Sequence, residues 1–166
     1  MNILEISFIA RTRRNHALEH ATIHVLSQHC PGINLVGRST PNGYYIYGSA
    51  TTEQVSAAAN EALARLKAGE HRLAIHPGCG TNLVTSSMLA GASAFVAMSG
   101  RSKRWDWDRL PTAMLATMAA LLAAQPLGPL LQEHVTTSPE VGDMTITGVQ
   151  KVSRGELGVH KISTRS

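Results

Sequence analysis

Two stretches without a single Asp, Glu, Lys or Arg, Leu73 to Gly100 and Leu110 to Gln132, constrain this chain more than any other feature. The first becomes continuously apolar after Asn82 and is rich in Ser, Ala and Gly; the second reads LPTAMLATMAALLAAQPLGPLLQ. Each approaches the roughly twenty residues that a helix needs to cross the hydrocarbon core of a bilayer. Between them the charged segment Arg101 to Arg109 carries Trp105 and Trp107, a composition suited to a turn at a membrane surface. The expectation is a transmembrane helical hairpin over residues 82–132, its end weakened by Pro126 and Pro129. The alternative is a buried helical hairpin in a soluble protein, consistent with a mean hydropathy near zero. A basic loop between the spans, set against Arg65, Lys67 and Arg72 before them, leaves the orientation open.

Residues 1–81 read as a small α+β domain. Asn15 to His29 is predicted helical and is stopped by Cys30-Pro31-Gly32. Asn34 to Thr40 and Tyr44 to Ser49 read as a β-hairpin turning at Pro41-Asn42-Gly43, with the Asn-Gly step in the positive-φ positions. Thr51 with Gln54 fits a capping box for a helix that Gly69 ends, and His71 to His76 reads as a strand. Residues 133–166 form a tail with two β-type runs, Met144 to Lys151 and Gly158 to Ser163, able to complete the sheet. The fold class is therefore α+β: a helix, hairpin, helix and strand, then a two-helix hairpin and a β-type tail.

On the first helix, His16, His20 and His24 recur every four residues and fall on one stripe. His16-Ala17-Leu18-Glu19-His20 spells H-x-x-E-H, the inverted zinc-peptidase pattern, with two ligands one turn apart and a Glu able to serve as general base. The same stripe also suits a plain polar helix face, because Ala17, Leu18, Ala21 and Val25 lie opposite it. A second ligand-rich stretch, His76-Pro77-Gly78-Cys79-Gly80-Thr81-Asn82, places a His and a Cys in one Gly-rich turn before the first apolar helix. Imidazole with thiolate suits zinc, so the candidate metal set is His16, His20, His76 and Cys79, with Glu19 as the candidate catalytic residue and His24 or Thr81 as substrate-polarising groups. The bland reading of the turn is a helix start capped by Thr81 or Asn82 over a buried Cys79.

The formal charge of +4 comes from scattered Lys and Arg, so nucleic-acid binding has no patch to rest on. Arg11, Arg13 and Arg14 follow the short apolar opening Ile3 to Ala10 and suit contact with lipid head groups. The opening lacks the order of a secretory signal. Two cysteines, Cys30 and Cys79, allow one disulfide at most. Walker-type loops and a G-x-S-x-G elbow are absent.

The segments HALEHAT from His16, GYYIYG from Gly43 and HPGCGTN from His76 together resemble an uncharacterised bacterial family of cyanobacteria and related lineages, over most of residues 10–132. The resemblance implies a small membrane protein with this helix, hairpin and turn before hydrophobic helices, and no activity. The functional expectation is a multi-pass protein of the inner or cytoplasmic membrane carrying a zinc site, acting as a hydrolase or peptidase. Its competitor is a non-catalytic anchored module that binds lipid and a protein partner or a second copy of itself.

Overall fold

The computed structural model describes residues 3–99, 107–152 and 158–165, so Arg101 to Asp106 and the turn region at Gly155 lie outside the described residues. The protein is α+β and separates into two compact units, Met1–His76 with Gln132–Ser166, and Pro77–Leu131.

In the first unit, helix α1 spans Ser7–His29 and helix α2 spans Thr52–Lys67. Strands β1 (Val36–Thr40), β2 (Gly43–Gly48), β3 (Thr145–Lys151) and β4 (Gly158–Arg165) form one antiparallel sheet in the order β1-β2-β4-β3. The central pair is therefore made by segments more than a hundred residues apart in sequence, Tyr44 opposite Ile162 and Ile46 opposite His160. Alternation along β2 and β4 sends Tyr44, Ile46 and Ile162 inward, where they meet Leu18, Ala21, Val25 and Leu26 of α1 and Val55, Ala62 and Leu66 of α2, all essentially inaccessible to solvent. Full burial of each large aliphatic side chain contributes about 1.5–3 kcal/mol, and this two-helix layer is what fixes the azimuth of α1.

Local chemistry sets the ends of these elements. The Thr51 hydroxyl accepts from Gln54 N–H while the Gln54 side chain returns to Thr51 N–H, a complete capping box. Gly69, at φ 92°, closes α2, with Glu70 N–H reaching Arg65 O. The β1–β2 turn departs from expectation: Thr40 pairs with Gly43, so Pro41 and Asn42 are the central residues, and among the described residues no non-glycine has positive φ. Proline fixes a negative φ at the first of these positions, which excludes the primed turn. Gly43, at φ 137°, is needed in the strand itself, since a Cβ there would collide with Ile162 O.

Residues 71–76 also depart from expectation. His71–Ala74 is a 3₁₀ turn, with Leu73 N–H to Glu70 O and Ile75 N–H to Arg72 O, and not a strand. The carbonyls of Ala74 and Ile75 accept from histidine rings of α1, so they do not serve a strand ladder. The N-terminal opening is a 3₁₀ turn, Ile3–Glu5, leading directly into α1, which starts well before Asn15.

The second unit is an antiparallel pair, α3 (Gly80–Met98) and α4 (Leu110–Leu131), both long and apolar enough to cross a membrane. At 1.5 Å per residue they extend about 29 and 33 Å, the thickness of a hydrocarbon core. Their outer faces expose Leu83, Met88, Phe95, Met114, Leu115, Met118 and Leu122. Hydroxyls within the spans return to their own helix, Thr85 to Thr81 O and Thr117 to Ala113 O, each at 2.8 Å. Pro126 and Pro129 sit inside α4, which continues through both to Leu131. Gly128 allows close approach to α3, because a Cβ there would collide with the Asn82 side chain.

Candidate metal centre

Helical spacing brings the rings of His16 and His20 to 4.3 Å between centroids. His76, delivered by the segment after the 3₁₀ turn and tied down by its N–H to Gln132 Oε1 at 2.9 Å, stands 5.7 Å from His20 and 4.8 Å from His24. Four imidazoles thus form one continuous row inside the first unit.

Each of the three row rings on α1 is held by a backbone carbonyl. His16 Nδ1 bonds Thr136 O at 2.9 Å, His20 Nδ1 bonds Ala74 O at 2.6 Å, and His24 Nε2 bonds Ile75 O at 2.9 Å. A carbonyl only accepts, so those nitrogens carry the protons. In the neutral rings the lone pairs are consequently on Nε2 of His16 and His20 and on Nδ1 of His24. That arrangement, one nitrogen donating to a carbonyl and the other left basic, is how metal-binding histidines are oriented. Burial, then the neighbouring His24 and His20, push the His76 pKa down to about 4, so this ring is neutral at pH 7.

Glu19 belongs to a different polar layer. It is buried, accepts from the Ser39 hydroxyl, and packs on Gly37, where a Cβ would collide with its carboxylate. Asn15, also buried, donates to Thr40 O at 2.8 Å and accepts from Thr164 Oγ1 at 2.7 Å. Thr22 bonds the Tyr44 hydroxyl at 2.8 Å. Burial pushes the Tyr44 phenol above its usual range; the Thr22 bond opposes this and the Glu19 charge adds to it. Asn15, Glu19 and Thr22 recur at helical spacing, so α1 carries a second polar stripe, buried against β1 and β2. The sequence signal for it was present at positions 15, 19 and 22, hidden beside the more conspicuous histidines.

The structure therefore brings His16, His20 and His76 together and adds His24. Cys79 opens the second unit as the N-cap of α3, its Sγ accepting from Thr81 N–H at 3.4 Å, in place of Thr81 or Asn82. Neither Cys30 nor Cys79 forms a disulfide among the described residues. Glu140, a tail carboxylate, lines a cavity with Arg13.

No solved structure matches this chain. A protein of the cyanobacterium Picosynechococcus sp., described as uncharacterized, is 34% identical over 149 residues, covering 81% of this chain and 68% of that protein. Residues 11–149, which hold the histidine row, strands β1 and β2, most of β3 and both apolar helices, match the model of a domain of unknown function, DUF6391, and the chain belongs to that family.

Proposed function

We propose that this protein is a membrane-anchored module that holds a divalent metal ion on the histidine face of α1. The observation that carries the reading is the triple carbonyl anchoring of His16, His20 and His24, which fixes three rings with their basic nitrogens defined. Two imidazoles and a thiolate suit a divalent metal ion, and in this reading Cys79 is the sulfur donor to go with His16 and His20. His76 is the natural further donor: it stands in the row, and Cys79 follows it three steps along the chain, at most about 11 Å of reach. Mixed nitrogen and sulfur ligation favours zinc among divalent ions. A metal so held would supply Lewis acidity if one coordination position stays open and structural cross-linking if none does.

The position of Glu19 supports holding a metal over hydrolysing a substrate. Its carboxylate accepts from the Ser39 hydroxyl and packs on Gly37, contacts that hold the group a general base would use in the polar layer against β1. The anchor in this reading is the α3–α4 hairpin, a multi-pass element of an inner or cytoplasmic membrane.

Cobalt(II) titration of the detergent-purified full chain, followed by visible absorption, tests the reading. Intense bands with thiolate-to-metal charge transfer are expected, with the charge transfer lost in Cys79→Ser and all bands lost in His16→Ala/His20→Ala. A spectrum of hexa-aquo cobalt throughout would contradict it. Hydrolysis that survives purification and disappears in Glu19→Gln, with cobalt binding intact, would overturn the non-catalytic part.

A further inference from the structure

A cavity of about 290 Å³ in the first unit is bordered by Arg13, His71, Arg72, Glu133, His134 and Glu140. Its size lies at the lower end of small-ligand sites, about 300–1,000 Å³. Two arginines and two glutamates border one space, yet the ion pairs among the described residues, His29–Glu61, Arg65–Glu61 and Arg65–Glu70, involve none of them. Arg13 Nη2 is spent on His134 O at 3.1 Å and Thr137 O at 2.9 Å, whereas Arg13 Nε is buried without a hydrogen-bond partner among the described residues. A buried guanidinium N–H without an acceptor is costly unless something supplies one. Glu140 has a weak contact from the Ser138 hydroxyl at 3.4 Å.

The cavity's walls come from particular stretches of chain. His71 and Arg72 lie on the segment that leads into the apolar hairpin, and Glu133 and His134 on the segment that leaves it. Arg13 belongs to α1, whose opening leaves Ile3, Ile6 and Phe8 exposed next to Arg11 and Arg14, the composition of an interfacial helix start.

We infer that this cavity binds the headgroup of a phospholipid that carries both a phosphate and an ammonium group. The inference rests on the membrane reading above. Phosphate oxygens match the guanidinium groups of Arg13 and Arg72, which border the cavity and offer planar donors; the ammonium matches Glu133 and Glu140. A purely anionic headgroup would satisfy the arginines and leave two carboxylates facing a negative charge.

Binding to the detergent-purified full chain is measured by native mass spectrometry and by the shift in thermal midpoint on adding short-chain phosphatidylethanolamine, phosphatidylglycerol or inorganic phosphate. Phosphatidylethanolamine is expected to bind and raise the midpoint, phosphatidylglycerol to do so more weakly, and inorganic phosphate not at all. Arg72→Gln, a change outside the core, should weaken phosphatidylethanolamine binding about tenfold or more while leaving the lipid-free midpoint unchanged. Glu133→Gln should narrow the difference between the two lipids. Equal binding of both lipids by the wild type, an equal effect of inorganic phosphate, or undiminished binding by Arg72→Gln would each overturn the inference. Alkaline carbonate extraction separates the two readings: release of the chain defeats the membrane anchor, whereas retention with no lipid preference defeats the headgroup site alone.

Discussion

In the first unit most of the buried and half-buried polar side chains are answered one at a time: Asn15 by Thr40 and Thr164, Glu19 by Ser39, Thr22 by Tyr44, His16, His20 and His24 by carbonyls. In the hairpin the opposite holds, since the spans present Leu, Met and Phe outward and fold their few hydroxyls back onto their own helices. The first unit is organised by a core with polar layers beside it, and the second by the solvent its exterior demands. The difference teaches that a leucine is not equivalent in the two places: in one it is held by neighbours, in the other by its surroundings.

Parallel truncations break or sharpen that contrast most strongly. Leu18→Ala removes a side chain with no solvent exposure and should cost about 2–5 kcal/mol, read by chemical denaturation of the first unit's far-UV signal. Leu122→Ala, 60% exposed, should change stability within about 0.5 kcal/mol. Equal effects would mean that α4 is covered by protein.

Leu122→Arg asks what covers it instead. Near the middle of a membrane span the substitution should cost about 2.5–3.5 kcal/mol in apparent insertion free energy, read as the inserted fraction in a glycosylation-mapping assay. At a water-exposed site it should be nearly silent. Thr51→Ala comes next: loss of the capping box should cost about 1 kcal/mol, measured by thermal denaturation.

The smallest effect is in pH dependence. His160 is buried in β4, and burial, followed by the charge of Lys151, holds its pKa below the ordinary 6.5, with Glu53 acting in the opposite sense. The unfolded chain therefore takes up a proton before the folded one does. The neutral ring's contribution is complete above pH 6.5 and falls away as pH drops below that value. His160→Gln should flatten this part of the stability–pH curve, and an unchanged slope would assign it to other groups.

Much of this was legible because it is local. The histidine stripe, the Thr51–Gln54 box, the Gly69 stop and the two charge-free helices follow from spacing and composition. What was not legible depends on partners distant in sequence. The β2–β4 pairing joins positions 43–48 to 158–163, which no periodicity announces. His71 to His76 alternates as a strand would, yet its carbonyls are claimed by His20 and His24. Within the site, the stripe disclosed that His16, His20 and His24 lie together, but only the structure shows that a carbonyl orients each of these rings, and that Glu19 is held by Ser39 and Gly37.

The central claim is that this histidine row binds metal, and elemental analysis of the tag-free, detergent-purified chain tests it most directly, with His16→Ala/His20→Ala measured beside it. The account predicts about one metal ion per chain in the wild type and none in the double variant. A wild type that stays metal-free after zinc is supplied, or a double variant that retains its full complement, would contradict it.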